Sequence, residues 1–441
     1  MRPSNSEWTA LVCLVPKSDG TLRFCVDYRR LNSVSKRDSY PLPRLDDCLD
    51  SLGNAQYFTT LDCNSGYWQI PIAKEDQQKT AFTTHTGTFE WNRMPFGLCN
   101  APATFQRTLD IMLSGFRWKT CLVYVDDVVI FSSSFDEHLD HVRQILTVLK
   151  KGGLSLKLKK CVWFSPTVDY LGHVIYPGKL AVAKKNTIAI EKFTWPKTQT
   201  EVRAFLGICN MYRRFAPNFA RVAAPLNSLL TKGQPKSIPP PTEEQLRAFD
   251  TLRKALIAPP ILILPDSSKP FSIDTDACDH QIGAALFQEG DDGVRHPVGF
   301  WSRSLNSAER NYSASERECL AVWAVQILRP YLEGKHFMVH TDHAALRWVL
   351  HLTESSGRLA RWRLRLLEFD FTIKYKKGAA NSIADAISRL PSFAYTGIEP
   401  DDDIPTHPCL LVENRFWGEA MLMSILDRHK IGILVLTSRW G

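Results

Sequence analysis

Two adjacent carboxylates, Asp126 and Asp127, sit inside a run of β-forming residues. Cys121-Leu122-Val123-Tyr124-Val125 precedes them and Val128-Val129-Ile130-Phe131 follows. The flanks read as two short strands that meet at the acid pair. Two like charges in such a setting repel each other and lose solvation unless something positive is bound. A divalent metal that organises phosphates is the usual resolution. A chain built around this hairpin must then supply a third carboxylate, a grip for a nucleotide and basic tracks for a polyanion.

With 441 residues, 44% hydrophobic and 23% charged, the chain has enough length and apolar content for two to four globular domains. Its net charge of +8 is modest, so the distribution of charge matters more than the sum. Lys and Arg gather in 150–160 and 358–377, and in the second stretch Trp362, Phe369, Phe371 and Tyr375 are interleaved. That interleaving favours nucleic acid over a plain solvated helix face. The eleven cysteines form no Cys-x-x-Cys pair. A disulfide framework or zinc knuckle is not expected, and a reducing compartment is. His138-x-x-His141 and His340-x-x-His343 have ligand-like spacing, but no second pair completes either, so zinc is not expected. Neither a signal peptide nor an apolar run of spanning length is evident, which predicts a soluble intracellular protein without membrane contact. Cytoplasm and nucleus are not distinguished.

The opening segment alternates as a hairpin, Leu11–Val15 and Leu22–Val26 around Lys17-Ser18-Asp19-Gly20. Phe58–Leu61 reads as a strand running into Asp62. A helix starts at Asn100-Ala101-Pro102, with Phe105, Leu109, Met112 and Leu113 on its apolar face. Ser134-x-x-Glu137 is a capping box opening a helix that stops at Gly152-Gly153. The region 179–232 reads as helical and basic, and the Pro-rich 232–241 as a linker before a helix capped by Thr242-x-x-Gln245. A second α/β domain follows from about Lys269. Its expected strands are Phe271–Thr275, Gly283–Gln288, Phe337–Thr341 and Phe371–Tyr375, with helices over 315–332 and 382–390.

Asp62, in Leu61-Asp62-Cys63-Asn64-Ser65-Gly66-Tyr67-Trp68-Gln69-Ile70, is the natural third acid beside Asp126 and Asp127. Three carboxylates at strand ends suit two-metal phosphoryl transfer. That string resembles the first catalytic motif of reverse transcriptases of gypsy-type LTR retrotransposons. Arg23-Phe24-Cys25-Val26-Asp27-Tyr28-Arg29-Arg30-Leu31-Asn32 resembles their fingers motif, and Met94-Pro95-Phe96-Gly97-Leu98-Cys99-Asn100-Ala101-Pro102-Ala103-Thr104-Phe105-Gln106 their nucleotide-pocket motif. Tyr170-Leu171-Gly172-His173 resembles the primer grip, while Phe205-Leu206-Gly207, Tyr212-Arg213-Arg214-Phe215 and Asn218-Phe219 resemble the segment after it. The motifs stand in family order and spacing.

The resemblance implies that Asp62, Asp126 and Asp127 bind the metals and that Tyr67 is a steric gate against a ribose 2′-hydroxyl. It implies that Lys17 and Arg23 grip the triphosphate, as a point charge and a planar fork. Phe96 and Gly97 would line the pocket, where many other reverse transcriptases have Gln at the position of Phe96. Leu171, Gly172 and His173 would form the primer grip.

The second domain has its own acids in separate elements: Asp276, Glu318, Asp342 and Asp385. Converging, they would form a two-metal site with water as nucleophile. Their strings resemble the RNase H domain of the same family. Asp274 competes with Asp276, since alternation puts both on one strand face. Cellular RNases H carry a His before the last acid, and Tyr375 is the substitute here by position. Arg361, Trp362, Arg363 and Arg365 would track a duplex backbone by charge and stacking. The all-oxygen donors and the resemblance imply Mg2+, two ions per active site, with Mn2+ as the alternative.

The expected fold is therefore a multidomain α+β and α/β chain: a right-hand polymerase (truncated fingers, palm, thumb/connection) followed by an RNase H-like α/β domain. Fingers and palm take 1–175, the thumb/connection-like helical region and linker 176–265, the RNase H-like domain 266–391, and a tail 392–441. The family places more sequence upstream of Trp8, so the fingers read as shortened at Met1. No protease motif precedes them and no integrase follows, as in one portion of a polyprotein or a truncated copy. The expected activity is RNA-directed DNA polymerisation with linked RNase H. Its partners would be RNA template, DNA primer, RNA·DNA hybrid and dNTPs. The rival readings are a remnant that binds nucleic acid without catalysis and a chain with RNase H activity alone.

Overall fold

The computed structural model describes residues 1–16, 20, 22–231, 233–277, 281–313, 316, 321–341 and 358–375. They fall into two compact units, Met1–Val168 and a second that begins at Asp169.

The centre of the first unit is an antiparallel sheet with strand order Cys121–Tyr124, Asp127–Ser132, Tyr57–Asp62, Val162–Ser165. Its registers set Leu61 opposite Val128 and Val123 opposite Val128. These residues share one core with Phe105 and Leu109 of the helix Ala101–Met112 and with Val142 and Ile145 of the helix Phe135–Lys151. Asp62 pairs with Asp127 in the same register, one residue out of phase with Leu61 and Val128. Side chains alternate along a strand, so both acids stand on the face away from this helical core.

The helix caps follow the sequence: the Ser134 hydroxyl accepts from Glu137 N–H, though the Glu137 carboxylate reaches back to Ser133 rather than Ser134. Two smaller sheets complete the unit. Arg2–Pro3, Gly87–Glu90 and Phe82–Thr84 form one, and the hairpin Val12–Pro16 with Leu22–Val26 the other.

The second unit opens with a sheet of Val168–Tyr170, His173–Tyr176, Lys179–Val182 and Leu262–Ile263. The expected helical region therefore starts as a strand. Gly178, at φ +66°, turns the chain back, and Leu180, Ala181 and Val182 are all buried on the returning strand. Helices Lys184–Glu191, Gln199–Met211, Phe219–Ser228 and Glu243–Ile257 follow. The Pro-rich stretch is pinned: Ile238 N–H donates to Lys197 O at 2.8 Å and Gln199 N–H to Lys236 O at 3.1 Å. Thr242 and Gln245 form a full capping box.

A five-stranded mixed sheet runs Arg295–Ser304, Gln281–Glu289, Phe271–Ala277, His336–Thr341, Asp370–Tyr375. The first three strands are antiparallel and the last two join in parallel. Over 315–332 the described helix comes in two pieces, Ala321–Ile327 and Arg329–Leu332. Pro330 has no N–H to continue the first piece but suits the opening turn of the second.

The segment after Tyr212 seats directly on this sheet. Arg214 Nε donates to Val298 O at 3.0 Å, Arg213 donates to Ser302 O, and Ala220 N–H reaches Ser302 Oγ at 3.0 Å. Gly299 makes room, since a Cβ there would stand 2.7 Å from Arg214 Cγ. Among the described residues, no helix is long and apolar enough to cross a membrane.

Candidate active site

Asp62 and Asp127 face each other as Cα partners across two central strands of the first unit, and Asp126 occupies the tight turn beside them. Val125, at the turn, has φ +52°, a conformation that a β-branched residue rarely adopts. Its N–H is taken by Gln106 Oε1 at 2.6 Å.

The Asp126 side chain keeps a solvent-facing edge. Its carboxyl is still pushed up to about 6, first by the solvation it loses among its neighbours, then by the charges of Asp127 and Asp62. Arg23 acts in the opposite direction. Such crowding marks a place where positive charge is wanted. Lys160 supplies some of it, with Nζ 3.3 Å from Asp62 Oδ2. Two thiols flank this corner: Cys161 Sγ accepts from Asp62 N–H at 3.4 Å, and burial raises Cys161 to about 11 and Cys63 to about 12. Both are therefore protonated and poor ligands at neutral pH.

Among the described residues, no three His, Cys, Asp or Glu side chains stand together as a ready-made metal cage. The donor chemistry nevertheless fits a hard divalent cation: three carboxylates, one of them pushed up by burial and then by the charges of the other two.

Aromatic rings pack together beside the acids. The Arg23 guanidinium lies 5.3 Å from the centroid of Phe96, which packs 5.2 Å from Tyr67. Tyr67 meets Phe105 edge-on at 5.6 Å, and burial, then Asp126, pushes its hydroxyl up to about 12. Gly66 precedes it because a Cβ would stand 2.8 Å from Phe105 Cζ. Gly97, at φ +97°, would bring a Cβ to 3.0 Å from Val26 O. Trp68 joins these rings, 5.6 Å from Trp91 and 5.8 Å from Phe96. Lys17 lies outside the described residues.

In the second unit, Leu171 at φ +49° and Gly172 at φ +83° form a tight turn. Gly172 O accepts from Ala183 N–H, Tyr212 OH and Asn186 Nδ2 at 3.0–3.1 Å. His173 departs from its expected role: its ring is buried, stacked 5.8 Å from Phe215, with Nδ1 3.0 Å from Leu171 O. It braces the turn from behind instead of offering itself to a primer.

For the second acid set, the backbone of Asp276 pairs with Gly283 near the end of its strand. Glu318, Asp342 and Asp385 lie outside the described residues. The competitor Asp274 is engaged elsewhere. It is buried, 2.6 Å from Arg295 and 3.0 Å from His340 Nδ1. Burial alone would raise its pKa, but those two partners outweigh burial and hold it below the usual carboxylate value. Tyr375 ends the last strand, exposed and paired in register with Thr341.

On the helix Arg358–Leu366, Arg361 and Arg365 are exposed one turn apart and Arg363 is half-buried. Trp362 is half-buried, packed 6.0 Å from Tyr312 and against the edge of the core. The positions of Gln106, Lys160 and Trp68 were not singled out by the motifs. Gln106 carried one available signal: it is an amide next to Phe105 and four residues before Asp110, two polar side chains on the buried side of a helix that also buries Phe105 and Leu109.

Residues 15–175 match the family described as reverse transcriptase (RNA-dependent DNA polymerase), and 266–369 match the RNase H-like domain found in reverse transcriptase. The chain is 43% identical over 396 residues to a retrovirus-related Pol polyprotein from transposon 297 of Drosophila melanogaster, covering 88% of this chain and 37% of that protein. It is 37% identical over 384 residues to the transposon Tf2-3 polyprotein of Schizosaccharomyces pombe, covering 86% and 29%. It thus spans about a third of the length of these relatives. A foamy viral protease–reverse transcriptase in complex with double-stranded DNA has the same fold, with a TM-score of 0.73, 25% identity and coverage of 86% of this chain and 79% of that one.

Proposed function

Because the chain belongs to the reverse transcriptase and RNase H family of LTR-retrotransposon Pol polyproteins, we propose that it copies RNA into DNA and cleaves the RNA of the resulting hybrid. The observation that carries this reading is the register that opposes Asp62 to Asp127, with Asp126 in the turn beside them and its carboxyl pushed up to about 6 by burial and then by the charges of the other two. Domains of these two kinds generally use divalent metals, and Mg2+ suits these donors, two ions to a site, with Mn2+ as the alternative.

Asp62, Asp126 and Asp127 would hold the metals of the polymerase site. When bound, these ions supply charge stabilisation to the attacking 3′-oxygen and to the leaving pyrophosphate. Arg23, with Lys17, grips the incoming triphosphate. Phe96 and Gly97 line its pocket, and Phe96 steadies the Arg23 guanidinium by a cation–π contact. Tyr67, fixed between Phe96 and Phe105, presents a rigid ring where a ribose 2′-hydroxyl would have to fit. Leu171 and Gly172 form the primer turn.

In the second domain Asp276, Glu318, Asp342 and Asp385 would hold the metals for hydrolysis, with Tyr375 at the rim. Arg361 and Arg365 would follow a phosphate backbone. The double-stranded DNA seen with the foamy viral relative supports a duplex as this chain's partner, alongside RNA template, DNA primer, RNA·DNA hybrid and dNTPs.

Primer extension on an RNA template, run beside cleavage of a labelled RNA·DNA hybrid, tests both halves. The expected result is Mg2+-dependent extension lost in Asp126→Asn, and cleavage lost in Asp342→Asn. Cleavage without extension would leave RNase H alone, and hybrid binding with neither reaction would leave a non-catalytic remnant.

A further inference from the structure

The catalytic turn is strained. Val125 is a β-branched residue at φ +52°, a conformation that costs on the order of 1–3 kcal/mol and persists only where its surroundings over-determine it. The surroundings are a short chain of polar side chains beneath the turn. Gln106, fully buried, accepts from Val125 N–H at 2.6 Å and donates through Nε2 to Val123 O at 3.1 Å and to Asp110 Oδ1 at 2.9 Å. One amide thus grips the backbone on two sides of Tyr124.

Asp110 is also buried, and a carboxylate so close to the catalytic acids invites a metal role. Its oxygens are engaged elsewhere: Oδ2 accepts from Tyr40 OH at 2.7 Å, and Oδ1 pairs with Arg117 Nε at 3.1 Å. Tyr40 is itself fixed. Arg107 lies 4.7 Å over its ring and holds both oxygens of Asp38 at 2.7 Å. Asn100 ties the same segment down through Asp38 N–H and Lys36 O.

We propose that Tyr40, Asp110 and Gln106 are positioning residues, a hydrogen-bonded relay that fixes the Tyr124–Asp127 turn and couples it to the segment 36–40. The proposal rests on the polymerase reading above for its catalytic consequence. The structural part, protection of Val125 N–H, is independent of that reading. None of the three side chains needs to touch substrate. Each acts on where Asp126 and Asp127 stand, and small misplacements of reacting groups are costly to rate.

Tyr40→Phe is the informative change, since it removes one hydroxyl at the far end of the relay and leaves the packing. A hydrogen bond to a charged group is worth about tenfold or more in an equilibrium. In the full chain, hydrogen exchange at the Val125 amide should therefore speed up about tenfold in Tyr40→Phe, while amides in the helical region 199–257 of the second unit keep their wild-type exchange. In primer extension, kcat should fall about tenfold while KM for dNTP stays within about twofold. Gln106→Leu should lower kcat further. The double variant should be no worse than Gln106→Leu alone, because the hydroxyl acts only through the amide.

Unchanged exchange at Val125 in Tyr40→Phe, or effects that simply multiply in the double variant, would overturn the relay. A wild-type chain that fails to extend primers would refute the polymerase reading instead, and the exchange measurement would still decide the relay.

Discussion

Acidification should unlatch the polymerase sheet through one histidine. His138 is fully buried beneath it, with Nε2 2.8 Å from Thr59 Oγ1 and Nδ1 2.9 Å from Ser132 Oγ. Thr59 and Ser132 lie on the strands that carry Asp62 and Asp127. Burial, then His141, depresses His138 to about 4 from an ordinary 6.5, against a smaller opposite pull from Glu137. The folded protein thus prefers the neutral ring. Its contribution to stability is present above pH 6.5, declines as pH falls, and is lost by about pH 4. Each tenfold in protonation is worth about 1.4 kcal/mol, so the span from 6.5 to about 4 amounts to about 3 kcal/mol.

Many carboxylates titrate in the same window, so the measurement is a difference. Denaturant unfolding of wild type and His138→Gln would be compared at pH 7, 6, 5 and 4. The variant can still hydrogen-bond Thr59 but cannot titrate. Its deficit relative to wild type should shrink by about 3 kcal/mol between pH 7 and pH 4. A constant deficit across that range would refute the buried neutral imidazole.

Gly66→Ala would set a Cβ 2.8 Å from Phe105 Cζ, and because Phe105 supports Tyr67, KM for dNTP should rise severalfold in steady-state extension; overpacking of this kind typically costs about 1–3 kcal/mol. Tyr67→Val should raise ribonucleotide incorporation relative to deoxynucleotide by at least about tenfold, read from the ratio of kcat/KM values. Gly299→Ala would collide with Arg214 and Trp301, so the second unit should melt lower by about 1–3 kcal/mol, seen by calorimetry.

The elements most legible in the sequence were those with two agreeing signals. The strands around Asp62 and Asp126 combine β-formers with motif spacing, and the Thr242 helix combines a full capping box with apolar periodicity. Residue type alone was a poorer guide. His173 sits in a primer-grip motif but turns inward, because Phe215, a stacking partner forty-two residues later, decides its direction. Trp362 reads from its basic neighbours as a surface ring, and the fold packs part of it against Tyr312 and the core. Asp274 and Asp276 share a strand face, and only cross-strand partners reveal that Asp274 belongs to Arg295 and His340. The relay under Val125 was hidden for the same reason: Gln106 closes a motif with no role of its own, Tyr40 and Asp110 belong to none, and the three meet only in the fold.

The seating of Arg213 and Arg214 on the sheet edge around Gly299 bears on how such chains recombine. In a chimaera of two such chains, a crossover near residue 265 falls between the two matched domains. It would in fact pair an arginine segment from one parent with a sheet from another, whose carbonyls could still receive Arg213 and Arg214 but whose side chains at 299 and 302 need not suit Arg214 and Ala220 N–H. A donor sheet with any side chain at position 299 would meet Arg214 head-on. Viable chimaeras should therefore inherit 212–220 and 298–302 from one parent, and these two stretches should change together as lineages diverge.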